Sequence, residues 1–255
     1  MVNVVCVHSF RGGTGKSNLT ANLAAQMALG GKRVGVIDTD VQSPGIHVLF
    51  GLAGAEIRLS LNDYLWRGRT ITEVAHDVTD GSGPGRIHLV PASTQPGEIS
   101  RVLREGYDAQ ALIRGLRRLA DELALDVLLI DTHPGLQEET LLSLVIADTL
   151  LILLRPDQQD YEGTGITVRI AADLKVPRTV LVVNKVPAAL DPDEVARQVE
   201  RTYGVPVLAA IPHSDPLMSL ASRGIFGLRH PDHPLTVAFA LIAAQLLPGQ
   251  AGGPG

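Results

Sequence analysis

The sequence predicts an α/β protein, a doubly wound and mostly parallel β-sheet with helices on both faces. Two observations predict it: near-continuous Val/Ile/Leu runs recur along the chain, and helix-like segments separate them. Strands covered on both faces have no solvent side, so they read as unbroken apolar runs and not as alternating patterns. In chain order the runs are VNVVCV (2–7), RVGVID (33–38), RIHLVP (86–91), DVLLID (126–131), TLLILL (149–154), TVLVVN (179–184) and VPVLAAIP (205–212). The first helix is expected from Asn18 to Leu29, where Gly30-Gly31 supplies a glycine stop. A second is expected within 108–123, because Leu112, Ile113, Leu116, Leu119 and Leu123 recur at helical spacing and form one apolar face. DGSGPG, Asp80 to Gly85, reads as a surface turn, since strand-like residues resume directly after it. One domain is expected over 1–247, followed by a tail of small residues, 248–255, expected to be disordered.

Composition narrows the function classes. With 255 residues, 45% hydrophobic and 19% charged, the chain is an ordinary globular one, and its net charge of -5 gives no global reason to bind nucleic acid. Cys6 is the only cysteine and lies in an apolar run. A disulfide framework and a cysteine-ligated zinc or iron–sulfur site within one chain are therefore excluded, and strand packing is its expected role. The chain enters its first apolar run without a basic leader, and stretches such as LVIADTLLILL are too short to cross a bilayer. A cytoplasmic protein is expected.

The segment VHSFRGGTGKSN, Val7 to Asn18, carries the most explicit chemistry. Between a buried strand and a helix start, the backbone N–H groups of Gly12, Gly13, Thr14, Gly15, Lys16 and Ser17 can surround phosphate oxygens, helped by the positive end of the helix dipole. Lys16 would bring charge to the outer phosphates of a nucleoside triphosphate, and the Ser17 hydroxyl would ligate Mg2+. The general pattern G-x-x-x-x-G-K-[ST] asks for glycine where Phe10 stands, with Arg11 beside it. Two strands end in carboxylates that this architecture places at the ligand edge of the sheet: Asp38 and Asp40 in VIDTDVQSPG, and Asp131 in DVLLIDTHPG. Asp131 is expected to act on magnesium, directly or from behind its ligands. Asp40 is placed in sequence to position the attacking water, and with Ser17 and Asp131 it is a candidate metal residue.

RGGTGKS, DTDVQSPG, DVLLIDTHPGL and VLVVNK together resemble the deviant Walker A ATPases of the ParA/MinD type, from the first strand to about Pro234. The resemblance accounts for Phe10, because that family dispenses with the first glycine. It implies an ATP-sandwich homodimer in which a signature lysine reaches the partner's nucleotide; here that position is Arg11, which could act across the dimer like an arginine finger. It further implies that Lys16, Ser17 and Asn18 belong to the phosphate loop, Asp40 to a first switch loop and Pro134-Gly135 to a second. Asn184 and Pro212 would line the adenine pocket. His133 is less usual in the second switch, where it is expected only to hydrogen-bond within the turn.

The branches of the family differ in what the switch controls. No Lys or Arg follows Arg229, which disfavours direct membrane binding through a basic terminal helix. Arg101, Arg104, Arg114, Arg117 and Arg118 offer a weak case for non-specific DNA, but Glu98, Glu105, Asp108, Asp121 and Glu122 lie among them and favour a mixed solvated face. LLRPDQQDYEGTG (153–165) reads either as a dimer or partner face or as a strand-to-helix loop capped by Asp157 or Asp160. RHPDHP reads as a surface loop and not as a metal site. The resemblance implies a Mg-ATP-dependent switch whose slow, partner-stimulated hydrolysis times the positioning of an unidentified cargo or activator. The alternatives are an ATP-dependent ligase or synthetase of the related group, and a nucleotide-binding regulator with little hydrolysis.

Overall fold

The computed structural model describes residues 2–52, 54–81 and 83–248. Its strands are β1 (Asn3–His8), β2 (Arg33–Asp38), β3 (His76–Asp77), β4 (Arg86–Val90), β5 (Val127–Asp131), β6 (Thr149–Leu154), β7 (Arg178–Val186) and β8 (Val207–Pro212). They form one eight-stranded sheet in the order β3-β4-β2-β5-β1-β6-β7-β8, parallel throughout except for β3 against β4. Every apolar run became a strand. β3 was not anticipated, because two residues without an apolar run leave no pattern to read. The 80–85 segment lies between β3 and β4, and its Gly85 is buried against the first helix: a Cβ there would meet the Ala28 carbonyl oxygen at 2.4 Å.

The helices are α1 (Lys16–Leu29), α2 (Ile46–Leu49), α3 (Leu61–Arg67), α4 (Pro96–Glu105), α5 (Ala109–Glu122) and α6 (Glu138–Ile146) in the first part of the chain. They continue as α7 (Gln158–Asp173), α8 (Pro192–Tyr203), α9 (Asp215–Leu220), α10 (Phe226–Arg229) and α11 (Pro234–Leu246). The expected first helix thus starts two residues earlier, at Lys16, and the second is α5 with Asp108 as its cap, accepting from the Gln110 amide at 2.8 Å. Most of the expected tail, 249–255, lies outside the described residues.

Side-chain alternation along the strands divides the core. Val5 and Val7 of β1 join α1 and α11 on one face, whereas Cys6 points to the opposite face and packs with Leu150, Ile152 and Leu181. Burial pushes the Cys6 thiol far above its ordinary range, which suits the packing role. Helix α1 is sandwiched between the sheet and α11, so its residues are apolar or small nearly all round. This burial holds the loop before α1 at the centre of the sheet's C-terminal edge. There β1 lies between β5 and β6, and the crossovers diverge to either side.

On the surface, three of the five clustered arginines are matched by carboxylates: Arg101 with Glu105 at 2.7 Å, Arg114 with Asp108 at 3.3 Å and Arg118 with Glu122 at 2.5 Å. In RHPDHP, His233 caps α11 by accepting from the Leu235 amide at 3.1 Å.

Candidate functional site

The loop from Ser9 to Gly15 leaves β1 and turns into α1 through two left-handed glycines, Gly13 at φ 77° and Gly15 at φ 98°. A Cβ at Gly15 would also lie 2.7 Å from Asn184 Nδ2, so glycine is required there twice over. The first turn of α1 contains no acidic residue, and its cap position makes no side-chain hydrogen bond. Among the described residues, no hydrogen bond engages the backbone N–H groups of residues 12–17. The carbonyls behind them are occupied: Asn184 Nδ2 donates to Thr14 O and Lys185 Nζ to Gly13 O, both at 2.7 Å. Unpaired N–H groups at a helix start, with no acidic residue in its first turn, are suited to an anion.

Two cavities meet at this loop. One, of about 220 Å³, is lined by residues 12–18 together with Ser9, Asp40 and Pro134. The other, of about 280 Å³, shares Gly13, Gly15 and Asn18 with it and extends between Asn184, Pro212 and apolar walls that include Ile211, Leu217, Met218 and Phe239. The structure therefore brings Gly12, Gly13, Thr14, Gly15, Lys16, Ser17, Asn18, Asp40, Asn184 and Pro212 to one continuous hollow. Asp131 and Arg11 line neither cavity.

Asp131 stands behind the loop, 1% exposed, with its Oδ1 taken by Lys16 Nζ at 2.7 Å and by the Thr20 hydroxyl at 3.3 Å. Asp38 is its register partner on β2. Burial, and then the charge of Asp131, hold the Asp38 carboxyl well above the usual carboxylate range. Asp40 has left the strand and lies 13% exposed; its Oδ1 accepts from His133 Nδ1 at 2.6 Å and from the Ser43 amide at 3.0 Å. A second bridge, Gln42 Nε2 to Gln137 Oε1 at 2.9 Å, links the same two loops.

Arg11 turns away from the hollow. Its guanidinium, 39% exposed, meets Asp157 at 3.6 Å and Asp160 at 3.7 Å at the start of α7. Asp157 is exposed and a pair of that kind is worth about 0.2–1 kcal/mol, while the buried Asp160 is already held by Arg155 through Nε at 3.1 Å and Nη2 at 3.3 Å, so Arg11 can leave without orphaning a buried charge. Of the two readings of 153–165, the strand-to-helix one describes the backbone: Asp157 caps α7 by accepting from the Asp160 amide at 3.0 Å.

Phe10 acquires its reason from the same helix. A Cβ on Gly163 would fall 2.0 Å from Phe10 Cδ1, so the aromatic ring plugs the space that only a glycine on α7 leaves. Gly163→Ala is expected to cost about 1–3 kcal/mol through overpacking, despite alanine's better helix propensity. It should also weaken nucleotide affinity, because a displaced Phe10 drags Arg11 and Gly12. Urea denaturation of Gly163→Ala and Gly163→Ala/Phe10→Leu checks this: the smaller side chain should recover much of the loss, and equal stabilities in all three proteins would refute the plug.

Sequence reasoning missed three parts of this site. Lys185 adopts a left-handed backbone at φ 58° beside an irregularity in the β7 pairing, an unusual conformation for a side-chain-bearing residue, and this lets it reach the loop. Its place directly after Asn184 was the available signal. The His133–Asp40 bridge and the apolar cavity walls from α9 and α11 join segments too distant in sequence to leave a local pattern.

A parallel sheet, a glycine-rich loop opening a buried helix, and a two-part hollow at the strand ends define a nucleotide-binding protein of the doubly wound class. The chain belongs to the CobQ/CobB/MinD/ParA nucleotide binding domain family, which it matches over residues 5–227. It is 26% identical over 249 residues to an uncharacterized ATP-binding protein of Methanocaldococcus jannaschii, covering 97% of this chain and 88% of the relative. It is 32% identical over 159 residues to the cytosolic Fe-S cluster assembly factor CFD1 of Chaetomium globosum, which is 61% of this chain but only 49% of that protein. The septum site-determining protein MinD of Pyrococcus horikoshii, complexed with Mg-ADP, has the same fold: TM-score 0.81 at 19% identity, over 96% of each chain. Among the described residues no helix is long and apolar enough to cross a membrane.

Proposed function

We propose that this protein is a Mg-ATP-dependent switch of the ParA/MinD type, in which ATP favours a sandwich homodimer and slow, partner-stimulated hydrolysis resets it. The observation that carries the reading is the two-part hollow, with an apolar-walled compartment containing Asn184 beside a compartment ringed by unpaired amides and Lys16. A purine base and a phosphate chain differ in this way, and the shared residues Gly13, Gly15 and Asn18 lie where the ribose would join them. The relative named as ATP-binding and the Mg-ADP complex of MinD support the choice of nucleotide and metal.

Each residue then has a role. Asn184 and Pro212 hold the base, and the amides of 12–17 cradle the phosphates. Lys16 leaves Asp131 for the outer phosphates, where its charge balances that developing in the transition state. Of the oxygen donors at the phosphate compartment, the Ser17 hydroxyl, with Asp131 behind it, fits a hard cation such as Mg2+, and Asp40, the other candidate ligand, is left to the water. When bound, that ion would neutralise phosphate charge and orient the terminal phosphoryl group. Thr14 Oγ1, buried with no partner among the described residues, is a further group that a bound ligand could satisfy. Asp40 orients the attacking water, and Arg11, released from Asp157 and Asp160, reaches the nucleotide of the partner subunit. The partner or cargo would be a macromolecule that recognises the dimer.

Light scattering of Asp40→Ala with Mg-ATP, and separately with Mg-ADP, tests this, because the substitution is expected to stop ATP being consumed during the run. Mass should double with ATP alone. A monomer with ATP demonstrably bound would refute the sandwich and move the reading to a ligase or a regulator with little hydrolysis.

A further inference from the structure

We propose that His133 is a positioning residue for ATP hydrolysis, acting through Asp40; this rests on the hydrolytic role proposed for Asp40 above. An ionised carboxylate has no proton to give, so the 2.6 Å contact between His133 Nδ1 and Asp40 Oδ1 places the hydrogen on Nδ1 and makes the imidazole the donor. The same Oδ1 accepts from the Ser43 amide at 3.0 Å, and the Asp40 amide donates to Asp38 Oδ1 at 3.0 Å. Oδ1 and the backbone of Asp40 are thereby fixed. Oδ2 makes no hydrogen bond among the described residues, on a side chain that lines the phosphate compartment, and so it is the oxygen left to accept from a water.

The bridge also ties Asp40 to the turn that follows β5. His133 precedes Pro134, which lines the phosphate compartment, and the Gly135 amide donates to Ser9 O at 3.1 Å at the start of the phosphate loop. A change in that turn on nucleotide binding would therefore be transmitted through the imidazole to the water-positioning carboxylate. Apposition of the two loops does not depend on His133 alone. The Gln42–Gln137 bridge and the hydrogen bonds from the Thr39 amide and hydroxyl to Asp131 O, at 2.9 and 3.1 Å, hold them together independently. Loss of the imidazole should misorient Asp40 without opening the site. That separates the proposal from the bland alternative, in which the histidine merely stabilises a turn.

Amide nitrogen in asparagine occupies the position of Nδ1, whereas in glutamine it lies one atom further out. His133→Asn should keep the donor, and His133→Gln and His133→Leu should lose it. The experiment measures kcat for ATP and the dissociation constant for a non-hydrolysable ATP analogue in the full chain with magnesium. His133→Leu and His133→Gln are expected to lose about 10- to 100-fold in kcat, the size of a misplaced reacting group, with analogue affinity within about twofold of wild type. His133→Asn should recover most of the turnover. Asp40→Ala/His133→Leu should be no slower than Asp40→Ala, because both substitutions remove one function. Unchanged turnover in His133→Leu, equal loss in His133→Asn, or turnover and affinity falling together would each overturn the role. A wild-type protein that binds the analogue but consumes no ATP would refute the hydrolytic reading itself, and the positioning role with it. Turnover in wild type that His133→Leu leaves intact refutes the positioning role alone.

Discussion

Lys16→Met is expected to lower folding stability by about 3–5 kcal/mol and to reduce turnover by about 100- to 1,000-fold. The lysine is 7% exposed and its Nζ sits 2.7 Å from an Asp131 oxygen that is almost wholly buried, with Asp38 beside it in register. Methionine keeps much of the packing volume but leaves the buried Asp131 carboxylate without its cation and the neighbouring Asp38 without that charge nearby. Surface ion pairs contribute little, but an orphaned buried charge costs several kcal/mol, because the group has lost its hydration and gained nothing in return. The double substitution Lys16→Met/Asp131→Asn removes both charges, so it should recover most of the stability. It should not recover turnover, since the phosphate charge would still be unmet. Urea denaturation and an ATPase assay on the three proteins separate the two effects. A single mutant that loses under about 1 kcal/mol, or a double mutant no more stable than the single, would show that the pair does not act as argued.

The parts of this architecture that are local in sequence were legible. Buried parallel strands have to be continuous apolar runs, and each of the seven runs is a strand in the sheet. The glycine-rich loop before α1 was legible as a local pattern for a related reason: glycines, a lysine and a hydroxyl that are to surround one anion must be adjacent in the chain, and here they line one cavity. Contacts between loops were not. Asp40 and His133 lie 93 residues apart, and nothing in either segment specifies that the loop after β2 will place its carboxylate on the imidazole of the loop after β5. Arg11 shows the same limit. Its sequence position is fixed beside the phosphate loop, but its engagement by Asp157 and Asp160 arises only because β6 lies next to β1 and delivers the start of α7 to that edge. Phe10 looked like a mismatch to a pattern and is a packing residue, a distinction that became visible only once Gly163 faced it. The missed edge strand β3 has a different cause: two residues cannot display a period.

His8 should make this fold lose stability steeply in acid. It ends β1, fully buried, and the Thr132 hydroxyl beside it donates to Val7 O at 3.1 Å. That hydroxyl must then accept from His8 Nδ1, 2.9 Å away, which leaves Nε2 as the bare nitrogen, buried with no partner among the described residues. Protonating Nε2 would place a charge where nothing solvates it, with the Lys16 cation near. Burial first, and then Lys16, push the pKa down from 6.5 to about 3. A depressed folded-state pKa contributes stability that is fully present above the unfolded value and is lost as pH falls through the folded one. Between pH 6.5 and about 3 the unfolded chain therefore binds a proton that the folded protein refuses, at about 1.4 kcal/mol per pH unit and on the order of 5 kcal/mol in all. His8→Asn keeps a donor to Thr132 and has no titration in this range. Its stability at neutral pH will be lower, because the smaller side chain leaves a cavity. Relative to that variant, wild type should decline by about one proton's worth per pH unit as the pH is taken from 6.5 to 4.5, measured by urea denaturation at each pH. Carboxylates elsewhere change both proteins alike, so the difference isolates the histidine. Parallel curves would mean that His8 is either already protonated in the folded state or free to take its proton, and the buried bare nitrogen at the end of β1 would have to be given up.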